Sequence, residues 1–89
     1  MDFKQLESFI TIAKYNSFSK AARELYLTQP TLSNHIQNLE SELGILLFDR
    51  KGKTIELTDA GKTFKNHAVE IIKKRDSAVF TINDIIGKF

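Results

Sequence analysis

Apolar residues recur at helical spacing along most of this chain, and each break in their phase marks where one helix yields to the next. Leu6, Phe9, Ile10 and Ala13 fall three and four apart and predict a first helix, with Asp2 as its N-cap. Asn16-Ser17 interrupts it. A short second helix runs through Leu25, capped by Ser17 or Ser19, with Ala21, Ala22 and Leu25 on its inner face. Tyr26-Leu27-Thr28 is a turn. Thr28 or Gln29 caps a third helix, and the only proline, Pro30, sits in its first turn, where a missing N–H costs little. Leu32, Ile36, Leu39 and Leu43 form its apolar stripe, and Gly44 supplies a left-handed stop.

The period then shortens. Ile45-Leu46-Leu47-Phe48 and Ile55-Glu56-Leu57 are β-prone runs flanking the polar tip Asp49-Arg50-Lys51-Gly52-Lys53-Thr54, a pattern that predicts a hairpin. Thr58 caps a last helix with Asp59 favourably placed in its first turn. That helix extends to about Gly87, roughly 45 Å at about 1.5 Å per residue, too long to be covered by a domain this small. The predicted fold is mainly α: a winged helix-turn-helix of three helices and a two-stranded wing over residues 1–57, then a long helix over 58–89.

The helix-turn-helix reading rests on Ala22, Leu25, Leu27, Leu32 and Ile36. Such a unit needs a small residue where its helices cross, an apolar turn residue to pin the crossing, and apolar anchors that orient the second helix. Tyr26 stands where a turn glycine is usual. Packed helical hairpins can also produce this spacing, so the flanking residues matter. Ser17-Phe18-Ser19-Lys20-Ala21-Ala22-Arg23-Glu24-Leu25, Leu27-Thr28-Gln29-Pro30-Thr31-Leu32-Ser33, Ile36-Gln37-Asn38-Leu39-Glu40, Glu42-Leu43-Gly44, Leu47-Phe48-Asp49-Arg50 and Leu57-Thr58-Asp59-Ala60-Gly61 follow in order. Together they resemble the N-terminal domain of LysR-type transcriptional regulators across essentially the whole chain. The resemblance implies a dimeric DNA-binding domain with a recognition helix, a wing and a linker helix used for dimerisation.

Geometry assigns the reading face independently. With the stripe inward, Pro30, Thr31, Ser33, Asn34, Gln37 and Asn38 turn outward, and Thr28 and Gln29 lie at the helix start. Amides pair two-pronged with adenine, and threonine can touch a thymine methyl in the major groove. Glu40, Ser41 and Glu42 are expected to keep the C-terminal half away from phosphates. LysR-type proteins commonly carry arginine at the position of Asn34 and often a base near Asn38. Without them, weaker salt dependence and a bias toward A·T pairs are expected. His35 reads as a packed helix residue, and His67 has no assigned role.

Charge sharpens this picture. Net charge is only +2, but the bases gather after Phe48, at Arg50, Lys51, Lys53, Lys62, Lys65 and Lys73-Lys74-Arg75. Phosphate affinity comes from such charges through counterion release. Arg50, Lys51 and Lys53 at the wing tip are candidate contacts to the minor groove or its phosphates, the alternative being a solubilising hairpin. Lys73-Lys74-Arg75 fits a solvated helix face equally well. The last helix carries Phe64, Ala68, Ile71, Ala78, Ile82, Ile85 and Phe89 at alternating spacings of four and three, interrupted by Arg75, as a seam for a second copy. Phe64 and Ala68 are also near enough to pack on their own domain.

Other classes find little support. There is no cysteine, no phosphate-binding glycine loop and no His-carboxylate cluster, so no enzyme, cofactor or metal is expected. No stretch approaches the ~20 apolar residues of a membrane span, and a cytoplasmic protein is expected. A winged-helix adaptor would display apolar anchors on the third helix, where this chain shows Thr, Ser, Asn and Gln. Another winged-helix regulator family would alter only the allosteric partner. The apolar end at Ile85, Ile86 and Phe89 reads as cut from a longer protein, whose further domain would bind a small-molecule effector.

Overall fold

Asp2 opens the first helix as expected: its carboxylate accepts from the Gln5 backbone N–H at 2.8 Å, and the Gln5 side chain accepts from the Asp2 N–H at 3.1 Å. This is a computed structural model, and it describes residues 1–52 and 54–87. Helix α1 spans Phe3–Tyr15 and ends at Asn16, which takes a left-handed conformation at φ 51°. Ser17, not Ser19, caps α2 (Phe18–Glu24) by accepting from Lys20 N–H. Thr28 caps α3 (Gln29–Leu43), which stops at Gly44 with φ 73°. Two short antiparallel strands follow, β1 (Phe48–Asp49) and β2 (Glu56–Leu57), with Phe48 opposite Leu57. Helix α4 spans Asp59–Gly87, its first turn capped by the Thr58 hydroxyl, which accepts from Gly61 N–H at 3.0 Å.

The core lies where α1, α2, α3 and the first half of α4 converge. Phe9, Leu6, Ile12, Leu32, Ile36, Leu39 and Leu47 are fully buried. Each such side chain contributes about 1.5–3 kcal/mol of burial. Phe9 joins three elements, its ring 5.3 Å from both Phe48 and Phe64, and Phe18 meets Phe48 at 6.0 Å. Aromatic pairs in these tilted geometries add roughly 0.5–1.5 kcal/mol each beyond the area they bury.

Three local expectations are corrected. Leu43 does not complete the α3 stripe but is exposed, because the body of the domain ends one turn earlier. Glu40, expected on the solvent side, is buried. Its carboxylate accepts from the backbone N–H groups of Leu47 (2.7 Å) and Phe48 (3.4 Å). The wing strands are also shorter than the apolar runs. Ile45 and Leu46 are exposed in the passage from α3 to β1, and Ile55 packs on the core before β2 begins.

The root of the wing is thereby gripped from both sides. Glu40 on α3 holds the N–H of Leu47, while Thr58 at the head of α4 donates its N–H to the Leu47 carbonyl (3.0 Å) and its hydroxyl to the Leu46 carbonyl (2.7 Å). Gly61 lies against the same peptide. A Cβ there would fall far inside contact distance of the Leu47 carbonyl oxygen and 3.0 Å from a Leu57 methyl, so only glycine fits this approach.

Candidate nucleic-acid interface

The predicted reading face forms at the start of α3. Gln29, Pro30, Thr31, Asn34, Gln37 and Asn38 are exposed, and Ser33 is half-buried. Thr28 is committed to capping: its hydroxyl accepts from Thr31 N–H (3.3 Å) and donates to the Thr31 hydroxyl (2.9 Å). Among the described residues the amides of Gln29, Asn34, Gln37 and Asn38 make no hydrogen bond, which leaves their donors and acceptors available to a ligand. The helix presenting them is held behind. His35 Nδ1 and the buried Ser8 hydroxyl share a hydrogen bond of 2.8 Å, tying α3 to α1 and fixing His35 as a packing residue.

The acids of this helix do not crowd the face. Glu40 is turned into the wing root, and Glu42 pairs with the N-terminal ammonium. Sequence reasoning missed the structural role of Glu40, and an acid directly following the last core leucine of α3 was the available signal.

Beside α3, the wing contributes two described cations. Arg50 and Lys51 are exposed, and with Gln37, Leu46 and Phe48 they line an open cleft between α3 and the hairpin. Gly52 has φ 78°, a conformation that side-chain-bearing residues rarely adopt. Lys53, the third predicted cation, lies outside the described residues. The Arg50 guanidinium carbon lies over the Phe18 ring, 4.4 Å from its centre.

Helix α4 divides at Arg75. Before it, the predicted seam residues pack on their own domain: Ala68 is fully buried, and Phe64 and Ile71 are half-buried against the core with part of each side chain left open. Regular four-three spacing identifies an apolar face without saying whose surface covers it. Arg75 ends this stretch: it donates to Glu7 (2.7 Å) and Asp76 (3.0 Å) and lies 5.0 Å from the Phe3 ring centre. The hydrogen bond to Glu7, then that to Asp76, raises the guanidinium pKa above its already high ordinary value, so Arg75 is a fixed charge at any working pH. Past Arg75, Ala78, Val79, Phe80, Ile82, Ile85 and Ile86 are all exposed, whereas Phe89 is outside the described residues. No described helix is long and apolar enough to cross a membrane, and no described cluster of His, Cys, Asp or Glu could hold a metal ion.

With this geometry in view, residues 3–62 match the family model of bacterial regulatory helix-turn-helix proteins of the lysR family. The chain is 40% identical over 85 residues to the HTH-type transcriptional regulator CitR of Bacillus subtilis, and 42% identical over 86 residues to BsdA of the same organism. Each alignment covers 96% of this chain, which spans 29% of CitR and 30% of BsdA. Among solved structures, the BenM DNA-binding domain in complex with catB site 1 DNA superposes with a TM-score of 0.92 at 36% identity, covering 96% of both chains. DarR of Vibrio fischeri in complex with DNA gives 0.91 at 39% identity over 96% of this chain and 29% of its own. The winged helix-turn-helix, its uncommitted polar face and the long following helix therefore belong to a member of the lysR family of bacterial regulatory helix-turn-helix proteins.

Proposed function

We propose that this chain is the DNA-reading end of a cytoplasmic transcription regulator with no catalytic role of its own, and that it binds double-stranded DNA as a homodimer. The observation that carries the reading is the outward face of α3 from Gln29 to Asn38, where four exposed amides are left without partners on a helix pinned from behind. Gln29, Pro30, Thr31, Ser33, Asn34, Gln37 and Asn38 enter the major groove, with Thr28 holding the helix start. Arg50, Lys51 and Lys53 reach the neighbouring minor groove or its phosphates. With Asn34 in place of a cation, amide-to-adenine pairs dominate and the site is A·T-biased.

Dimerisation runs through α4 beyond Arg75, at Ala78, Ile82, Ile85 and Phe89, whose apolar side chains this chain leaves uncovered where it is described. Two reading helices then require a pseudo-palindrome with half-sites one helical turn, or a multiple, apart. The small-molecule effector is bound elsewhere in the longer protein, as the relatives' greater length allows. Selection of bound duplexes from a random pool, followed by titration against salt, tests the reading. The expected result is an A·T-biased inverted repeat. Enrichment of G·C-rich half-sites refutes the amide assignment, and no enrichment at all refutes sequence-specific binding.

A further inference from the structure

Arg50 is exposed, yet it has no carboxylate partner and no hydrogen bond among the described residues. Its one partner is the face of Phe18, 4.4 Å from the guanidinium carbon. The ring beneath it is itself fixed, since Phe18 is 9% exposed and packs edge-on against Phe48, the first residue of the wing. The ring contact takes up no hydrogen-bond donor, so the guanidinium N–H groups are left unspent. Arg50 also lines the cleft between α3 and the hairpin, together with Gln37 of the reading helix.

From this arrangement we infer that Phe18 is a positioning residue for Arg50: its ring pre-orders the wing arginine for an anionic oxygen of the DNA backbone beside the reading helix. The inference rests on the DNA-binding reading above and adds the source of the arginine's order. An arginine free in solvent must be immobilised on binding, which weakens affinity by roughly threefold to tenfold for a rotamer-rich side chain. Held on Phe18, Arg50 has already met most of that cost in the folded protein. The ring is then an affinity device placed at the first residue of α2, away from every residue that touches a base.

The test is a double-substitution cycle on a duplex enriched by the wild-type chain, combined with NMR of the free protein. Phe18→Leu keeps the core apolar but removes the π face, and is expected to weaken binding roughly threefold to tenfold. Arg50→Ala weakens it more and lowers the salt slope by about 0.9, the value of one phosphate contact. Adding Phe18→Leu to Arg50→Ala produces no further loss. Arg50→Lys, which leaves the core untouched, loses the planar stack and behaves like Phe18→Leu, whereas Phe18→Tyr retains full affinity. In the free protein, the Arg50 Nε–Hε group is ordered and ring-current shifted, and both features vanish in Phe18→Leu.

Equal losses from Phe18→Leu with and without Arg50 overturn the inference and reduce Phe18 to a core residue. A mobile, unshifted Arg50 in the wild-type protein also overturns it, whatever the binding data. Absence of salt-dependent binding by the wild type, with Arg50 ordered on its ring, refutes the DNA reading and leaves the stack with no phosphate to serve. That outcome is distinct from the other two.

Discussion

Replacing Gly61 by alanine sets two opposing effects against each other, and the structure decides the sign. Gly61 lies in the first turn of α4, and in an open helix alanine would be preferred by about 1 kcal/mol. Here the new methyl meets the Leu47 carbonyl oxygen, with the carbonyl carbon 3.1 Å away and a Leu57 methyl at 3.0 Å. Restoring ordinary contact requires the peptide to retreat by roughly 1 Å in a place where overpacking typically costs 1–3 kcal/mol. The peptide has nowhere to go. Leu47 is held at its N–H by Glu40, a bond to a charged group worth about 1.5–3 kcal/mol, and at its carbonyl by Thr58, a bond worth about 0.5–1.5 kcal/mol, and retreat weakens both. Strain at the upper end of its range, plus one or two weakened bonds, less the propensity gain, leaves a net loss of about 2–4 kcal/mol. For a chain of this length that lowers Tm by on the order of 10–25 °C. Calorimetry or circular dichroism melting of Gly61→Ala against wild type measures it. An unchanged or raised Tm would show that helix propensity wins and that the approach of α4 to Leu47 is looser than described.

Two further substitutions probe the same scaffold. Glu40→Ala removes the acceptor of the buried Leu47 N–H, a bond to a charged group worth about 1.5–3 kcal/mol. Glu40→Gln keeps a neutral acceptor and loses roughly half of that; equal urea midpoints for the two variants would refute the hydrogen-bond account. Tyr26 has φ 56° and is 95% exposed, so Tyr26→Gly relieves left-handed strain without uncovering any core. Set against the extra freedom of an unfolded glycine, the net gain is about 0.5–1 kcal/mol, and a melting temperature no higher than wild type contradicts it.

Much of this architecture was legible because its signals are local. Asp2, Ser17, Thr28 and Thr58 satisfy orphan N–H groups within three residues of themselves, and Gly44 takes the conformation a helix stop demands. The outward face of α3 followed from Leu32, Ile36 and Leu39 alone. What escaped depends on partners distant in sequence. Leu43 continues the α3 period but overshoots the end of the core, while Glu40, one step out of phase, is drawn inward by the N–H groups of a loop seven residues on. For Phe64, Ala68 and Ile71 the spacing fits a second copy and their own domain equally well, and it is the packed core that shows how far each is covered. The close approach at Gly61 leaves no trace in periodicity, because its cause is a carbonyl in another element.

The ion pair between Arg75 and Glu7 has an angular consequence. Beyond it, residues 76–87 continue as helix for about 18 Å at 1.5 Å per residue. A tilt of roughly 10° at that tether moves the far end by about 3 Å, close to the ~3.4 Å step between successive base pairs. Such a tilt would displace a body seated on the apolar tip by about one base-pair step. Glu7, by accepting the hydrogen bond from Arg75, is the α1 residue that holds this angle.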